Sequence, residues 1–463
     1  MAPADLHYLG LSELSALLAA RTVSAVEVME HTLTRIERLD GRLHAFAWLD
    51  PEAALHQARL ADQRFARGEG RALEGVPVAV KDMFDTADMP TAAGMAIHRG
   101  VRPDHDATVV RRLREAGAIN IGKTQMTEGA FALHHPSITP PLNPWGADLW
   151  PGASSSGSGV AVAAGLAYAS LGSDTGGSIR FPSAANGLTG LKPSWGRVSR
   201  YGAFELAASL DHIGPIARSA RDVALIQSLI AGHDPSDPTS WPGEADFACS
   251  VEDIAGLRIG MDPRWNSEGC DDAVIRAVNG AAETLRALGA EVCEIDLPDL
   301  SAASRHWELL AGTEAAVAHE RTYPARAAEY GPALSRLLDI GRSTSAMDHQ
   351  RALLDRMALT GALDSVLAGI DCLLMPVQPY AAPTLERLGE LAADPEANAR
   401  LIAFTAPFNL GGQPALCLPA QPADGGAPVG VQLVAARGRE ALLLGAGIAF
   451  QRVTGWHRAH PQM

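Results

Sequence analysis

The 463-residue sequence predicts an α/β fold in which a β-sheet is covered by helices, and three observations carry that expectation. Apolar runs of strand length alternate with helix-length amphipathic runs from end to end. Apolar residues make up 47% of the chain, so a large core can be buried. Glycine (45) and proline (30) are plentiful but follow no G-x-y or longer period, which points to many tight turns rather than a fibre or a repeat array.

The first 70 residues read as helices. One covers Leu11–Arg21. A second opens on a capping box, Ser24 with Glu27, and runs through Ile36 to Leu39 with Val26, Val28, Met29, Leu33 and Ile36 on its apolar face. A third starts at Asp50–Pro51, with proline in the first turn, and runs to about Arg67. A strand over Val76–Val80 ends on Lys81. The spacing then predicts a helix over Thr108–Glu115, stopped by Gly117, and a strand over Ile119–Ile121. Further on, Leu257–Met261, Asp271–Leu288 and Glu291–Ile295 read as strand, helix and strand. Cys372–Val377, Pro414–Pro419 and Pro428–Val434 read as buried strands, and a helix over Glu440–Phe450 closes the chain.

Residues 143–215 are crowded with glycine and serine. A flexible linker would be polar, whereas this stretch carries Val160, Val162, Leu166, Tyr168, Leu171, Ile179, Phe181, Leu188 and Leu191. It reads as folded, with backbone brought close to something.

The net charge of −15 works against nucleic acid or an anionic membrane as partner. No apolar run is long enough to span a bilayer, and MAPADLHYLGLSEL lacks the basic and apolar blocks of a secretory leader. The five cysteines, Cys249, Cys270, Cys293, Cys372 and Cys417, are odd in number and too scattered for a zinc knuckle. A reduced, cytoplasmic protein with inert thiols is expected. His134–His135 point apart in a strand or loop, and no metal or cofactor is expected. A homodimer is left open. Of 38 basic residues only Lys81, Lys123 and Lys192 are lysines. Arginine cannot lose its proton in a protein, so a lysine acting as base is one that arginine could not replace.

Gly117–Thr124, GAINIGKT, satisfies the pattern of a phosphate-binding loop. Such a loop must follow a strand and open a helix; here a helix precedes it and Ile119 and Ile121 alternate as in a strand. A P-loop nucleotide-binding protein is therefore the different-class alternative. No H-E-x-x-H, Ser-x-x-Lys or Gly-x-Ser-x-Gly pattern occurs. In SDTGGSIRFP (173–182), two glycines before Ser178 free the backbone so that successive N–H groups can converge on one point, as an acyl-transfer oxyanion hole requires. GASSSGSG (152–159) enters a small-residue helix, Val160–Gly165, and GVPVAVKD (75–82) sets Lys81 at the C-terminal end of a strand, the edge where open α/β sheets carry their sites.

These three motifs in this order resemble the amidase signature family. The resemblance extends over nearly the whole chain, through AGAINIGKTQMTEGAF (116–131), GLKPSWGRVSRYG (190–202) and PFNLGGQPALCLP (407–419). It implies a large mixed β-sheet with helices on both faces and a single catalytic domain over 1–463, with 1–70 packed on it and a signature core of about 75–220. It implies an amidase acting on a small or medium carboxamide, with Ser178 as nucleophile, Ser154 as bridging serine after a cis peptide bond, and Lys81 as base. The logic holds on the chemistry alone: no histidine lies in these motifs, and lysine can serve only if burial brings its pKa near neutral. Thr175, Gly176, Gly177 and Ser178 are the implied oxyanion donors, and Ser155, Asp174 and Arg180 the implied supports, although Asp174 alone could cap the turn and Arg180 hold it. Lys123 and Lys192 read as structural. The glutaminase subunit of a tRNA-dependent amidotransferase is the alternative within the family. One departure stands out. The family has Gly-Gly before the bridging serine, and here it is Gly152–Ala153, so either the local φ is ordinary or the site is slightly shifted; activity is expected to survive.

Overall fold

The computed structural model describes residues 6–242 and 253–463, and Cys249 lies outside the described residues. Eleven strands form one mixed sheet. In chain order they are β1 (Phe46–Leu49), β2 (Pro77–Lys81), β3 (Ile119–Thr124), β4 (Ala169–Asp174), β5 (Thr189–Lys192), β6 (His212–Ala217), β7 (Arg258–Met261), β8 (Glu291–Glu294), β9 (Cys372–Pro376), β10 (Ala415–Pro419) and β11 (Gly430–Val434). Their order across the sheet is β1-β3-β2-β4-β6-β5-β10-β11-β9-β7-β8. Parallel pairs (β3-β2-β4 and β9-β7-β8) sit toward the two ends, with antiparallel strands between them.

Both faces are covered. In β10, Leu416 and Leu418 belong to the core under the helix Glu440–Thr454, while the alternating Ala415 packs with Phe404 and Phe408, and Cys417 with Phe181 and Ala184. The same division splits β9, with Cys372 and Leu374 on one side and Leu373 and Met375 on the other. Side chains alternate across a strand, so two buried faces leave no polar face to read.

The helices follow their signals closely. Ser24 accepts from Glu27 N while the Glu27 carboxylate reaches back, and the helix runs Ala25–Leu43. Asp50 caps Pro51–Ala66, and Thr108–Glu115 and Asp272–Ala287 form where the periodicity puts them. The N-terminal region is not all helix: β1, FAWL, pairs antiparallel with β3, Phe46 opposite Thr124. Its middle residues are exposed at the sheet edge, which removes the alternation that signals a strand. The small-residue helix is Ser156–Ala163, earlier than the spacing suggests. Its glycines let it lie close to its neighbours: a Cβ on Gly159 would come 2.7 Å from the Asn186 amide.

Candidate functional site

Lys81 is the last residue of β2, and its side chain is fully buried. Its Nζ donates to Ser154 Oγ at 2.7 Å and to Ser173 Oγ at 2.8 Å. No carboxylate is bonded to it. Burial brings its pKa down from the ordinary 10.5 to about 7, with the Asp211 and Asp174 carboxylates limiting the fall. Ser173 opens the SDTGGSIRFP motif, but nothing in the motif alone marks it as a partner of the lysine.

Ser154 enters the helix Ser156–Ala163 through a cis Ala153–Ser154 peptide bond. Gly152 takes φ +80°, while Ala153 is not among the residues with positive φ, so the departure from the glycine pair is met by the ordinary-φ alternative. A Cβ on Gly152 would collide with the Pro182 backbone, which is why glycine stands there. Ser155 Oγ donates to the Ser173 carbonyl and accepts from Ser173 N, both at 3.3 Å, tying the serine segment to β4.

β4 ends on Asp174, and the turn Thr175–Ile179 leads into the helix Arg180–Asn186. From Ser154 to Ser194 every residue is buried except Ser178, which is partly open. A hydroxyl at the only accessible point of so dry a segment is what a nucleophile requires. Asp174 organises the turn: its carboxylate accepts from Gly177 N at 2.8 Å and Ile179 N at 3.1 Å, and from Arg180 Nε and Nη2 at 3.0 and 2.9 Å. Burial alone would raise its pKa, but Arg180, Lys192 and Asn409 outweigh that and hold the carboxyl well below the usual range. Arg180 spends its remaining donors on Gln432 Oε1, the Thr405 carbonyl and Asn409 Oδ1.

One expected oxyanion donor differs. Gly177 N–H is committed to Asp174, because the Gly176 carbonyl is held on the opposite side by Thr405 Oγ1 at 2.6 Å. Among the described residues the N–H groups of Thr175, Gly176 and Ser178 have no protein acceptor. Gly177 itself has φ +133°, and a Cβ there would run into the Phe181 ring.

Known proteins share the sequence pattern and the fold of this chain. The Amidase family model matches residues 27–444. The chain belongs to the amidase signature family. It is 48% identical over 457 residues to the AmiD protein of Mycobacterium tuberculosis, covering 98% of this chain and 96% of that one. It is 39% identical over 487 residues to a glutamyl-tRNA(Gln) amidotransferase subunit from Chloroflexus aggregans, covering 99% of each. Among solved structures, the peptide amidase from Stenotrophomonas maltophilia superposes with a TM-score of 0.86 at 30% identity, covering 99% of each chain.

Within this amidase signature chain the other two lysines have structural partners. Lys123, in β3, donates to the Phe84 and Pro90 carbonyls and to Thr91 Oγ1, and lies 3.4 Å from Asp82. It holds the 84–91 loop from a strand, with no helix opening after it, so GAINIGKT has no phosphate cradle. Lys192 donates to the Pro193 and Gln413 carbonyls. His134 and His135 turn to different partners, Ser156 and Ser137. Burial pushes the thiols of Cys270 and Cys372 up to about 11 and about 12, and that of Cys417 higher still, which disfavours the thiolate. Among the described residues no helix is long and apolar enough to cross a membrane.

Several site residues carry no signal in the sequence. Asn409 lies inside the PFNLGG motif, yet its grip on Asp174 shows only in three dimensions. Asp211 accepts from Thr175 Oγ1 at 2.6 Å and from Leu206 N and Ala207 N, and burial raises its carboxyl to about 7. Trp307 and Thr405 lie outside every motif named above.

Proposed function

We propose that this protein is an amidase that hydrolyses a small or medium carboxamide through a Ser178 acyl-enzyme, with Ser154 as proton relay and Lys81 as general base. The observation that carries the reading is the buried 2.7 Å contact between Lys81 Nζ and Ser154 Oγ, made by a lysine whose pKa is brought to about 7. In its neutral form Nζ accepts the Ser154 proton across that contact while Ser154 Oγ takes the proton of Ser178. Ser178 Oγ then bonds to the substrate carbonyl carbon, and the charge on the carbonyl oxygen is met by the N–H groups of Thr175, Gly176 and Ser178. The C–N bond breaks as the leaving nitrogen takes back a proton from Lys81 through Ser154. Water repeats the sequence on the acyl-enzyme and releases the acid. Ser155, Asp174 and Arg180 act as positioning residues.

We further propose that 1–463 works as one catalytic unit, because one sheet contains strands from β1 to β11 and the site draws on residues from Lys81 to Gln432. The cysteines are free among the described residues, which favours a reducing, cytoplasmic setting. The test is labelling with a fluorophosphonate followed by peptide mapping. The adduct is expected on Ser178, and an adduct elsewhere removes Ser178 from the nucleophile role. The similarity to the amidotransferase protein of Chloroflexus aggregans supports a second reading, in which the ammonia released from glutamine passes to a partner protein. Turnover of non-glutamine amides by the isolated chain separates the two.

A further inference from the structure

The turn that carries Ser178 is gripped by side chains from distant parts of the chain, each holding a different carbonyl. The Asp174 carbonyl accepts from Asn409 Nδ2 at 2.9 Å, the Thr175 carbonyl from Trp307 Nε1 at 2.6 Å, and the Gly176 carbonyl from Thr405 Oγ1 at 2.6 Å. These peptide bonds are trans. In a trans peptide the C=O and the following N–H point in opposite directions, so holding one carbonyl aims the next N–H. The grip on Gly176 turns the Gly177 N–H onto Asp174. By the same geometry, the grip on Thr175 fixes the direction of the Gly176 N–H, which has no protein acceptor among the described residues.

Trp307 belongs to the helix Ala303–Ala318, and only 7% of it is exposed. Its ring leaves no room for a side chain at position 176: a Cβ on Gly176 would come 2.9 Å from indole Cε2 and Cζ2. Phe131 stacks on it, with centroids 6.4 Å apart and planes 18° from parallel. On the other side of the same residue, Asp211 holds the Thr175 hydroxyl. Thr175 is thus clamped at its carbonyl and its side chain at once.

We propose that Trp307 is a positioning residue of the oxyanion hole, aiming the Gly176 N–H at the substrate carbonyl oxygen through its hydrogen bond to the Thr175 carbonyl. The proposal rests on the reading of Ser178 as nucleophile. Without the indole N–H the Thr175 carbonyl loses its hold, and the Gly176 donor is loosened at the moment charge develops on the oxygen. Binding of the uncharged substrate is unaffected, so the defect falls on the chemical step.

The experiment compares Trp307→Phe, which keeps an aromatic ring against Gly176 but removes the N–H, with Phe131→Leu, which removes the stacking partner but keeps the N–H. The readout is the saturation kinetics of fluorophosphonate labelling of the full chain, whose phosphoryl oxygen occupies the same hole and which needs no knowledge of the natural amide. Loss of one oxyanion donor slows an acyl-transfer step by roughly a hundredfold to a thousandfold, so a loosened donor is expected to cost about tenfold to a hundredfold. The maximal labelling rate of Trp307→Phe falls by that factor. The half-saturating probe concentration stays within about twofold, and the acid limb of the pH profile does not move because Lys81 is untouched. Phe131→Leu labels at the wild-type maximal rate. Labelling of Trp307→Phe at the wild-type rate overturns the proposal, as does an equal loss in both variants, which would make the indole mere packing. If phenylalanine proves too small for the fold, benzothienylalanine at 307 keeps the bicyclic shape without the N–H and gives the same readout. An adduct in the wild-type protein at a residue other than Ser178 refutes the underlying mechanism and is distinguishable from either result.

Discussion

Activity is predicted to rise with pH through a limb centred near 7 that belongs to Lys81. A lysine at its ordinary 10.5 would be neutral in about one molecule in 3,000 at pH 7, whereas at about 7 roughly half the molecules carry the free amine. The burial that produces this is complete, and the Nζ bonds go to two hydroxyls rather than to a carboxylate. With one proton blocking the base, kcat/KM is expected to climb about tenfold per pH unit below 7. It should stand near one-hundredth of its plateau at pH 5 and level off by about pH 8 to 9. The assay is ammonia release from a carboxamide the enzyme turns over, in constant-ionic-strength buffers, with enzyme returned to pH 8 to show that no loss is irreversible. Lys81→Arg keeps the charge and cannot lose it, so activity should fall by about a hundredfold to ten-thousandfold at every pH. The same shift has a stability consequence of definite sign. Between about pH 7 and 10.5 the unfolded chain holds a proton on Lys81 that the folded chain has released, so this residue makes the fold more stable as pH rises over that window. A limb near 10, a flat profile from pH 5 to 9, or a Lys81→Arg variant within tenfold of wild type would refute the reasoning.

Three further outcomes follow from particular contacts. Arg180→Met leaves the fully buried Asp174 without its countercharge, which should cost about 3–5 kcal/mol in urea unfolding and abolish labelling of Ser178. Ala153→Gly should leave kcat/KM within about twofold, since the alanine already sits at ordinary φ, and should lower stability by about 0.4–1 kcal/mol through the looser unfolded chain. Saturating ATP–Mg should leave the Tm of the wild-type chain unchanged, because Lys123 is already bonded to the 84–91 loop; a rise in Tm would restore the nucleotide-binding reading.

What the sequence made legible is set by how local each signal is. A capping box is written in four residues, so the helix opening after Ser24 is readable from Ser24 and Glu27 alone. The strands β4, β5 and β6 lie in or at the end of the Gly/Ser-rich region with both faces buried, so they lack the alternation that announces a strand. The site divides in the same way. Lys81, Ser154 and Ser178 sit in short motifs whose chemistry can be argued from residue type. Trp307, Thr405 and Asp211 act through one contact each with the Thr175–Gly176 turn, and nothing in their own surroundings marks them. The Gly177 N–H reads as an oxyanion donor in sequence for the same reason. Its orientation is decided by Thr405, whose bond to the Gly176 carbonyl spans 229 positions of the chain.

Lys81 and Asp174 lie in the same dry interior and burial acts on both, yet they end in opposite states. Burial penalises whichever form carries charge, and what decides the outcome is whether a countercharge is bonded. Asp174 has a guanidinium across two hydrogen bonds and backbone N–H groups besides, so it stays ionised and can hold the turn in one conformation. Lys81 is given only hydroxyls, and the Asp211 and Asp174 carboxylates act on it from a distance, so much of it is neutral at pH 7. A carboxylate bonded directly to Lys81 would restore its charge and remove the base; loss of Arg180 would neutralise Asp174 and release the turn. Two titratable groups driven apart by their surroundings, one toward proton transfer and one toward fixed geometry, are what acid–base chemistry at neutral pH requires of a site whose base is a lysine.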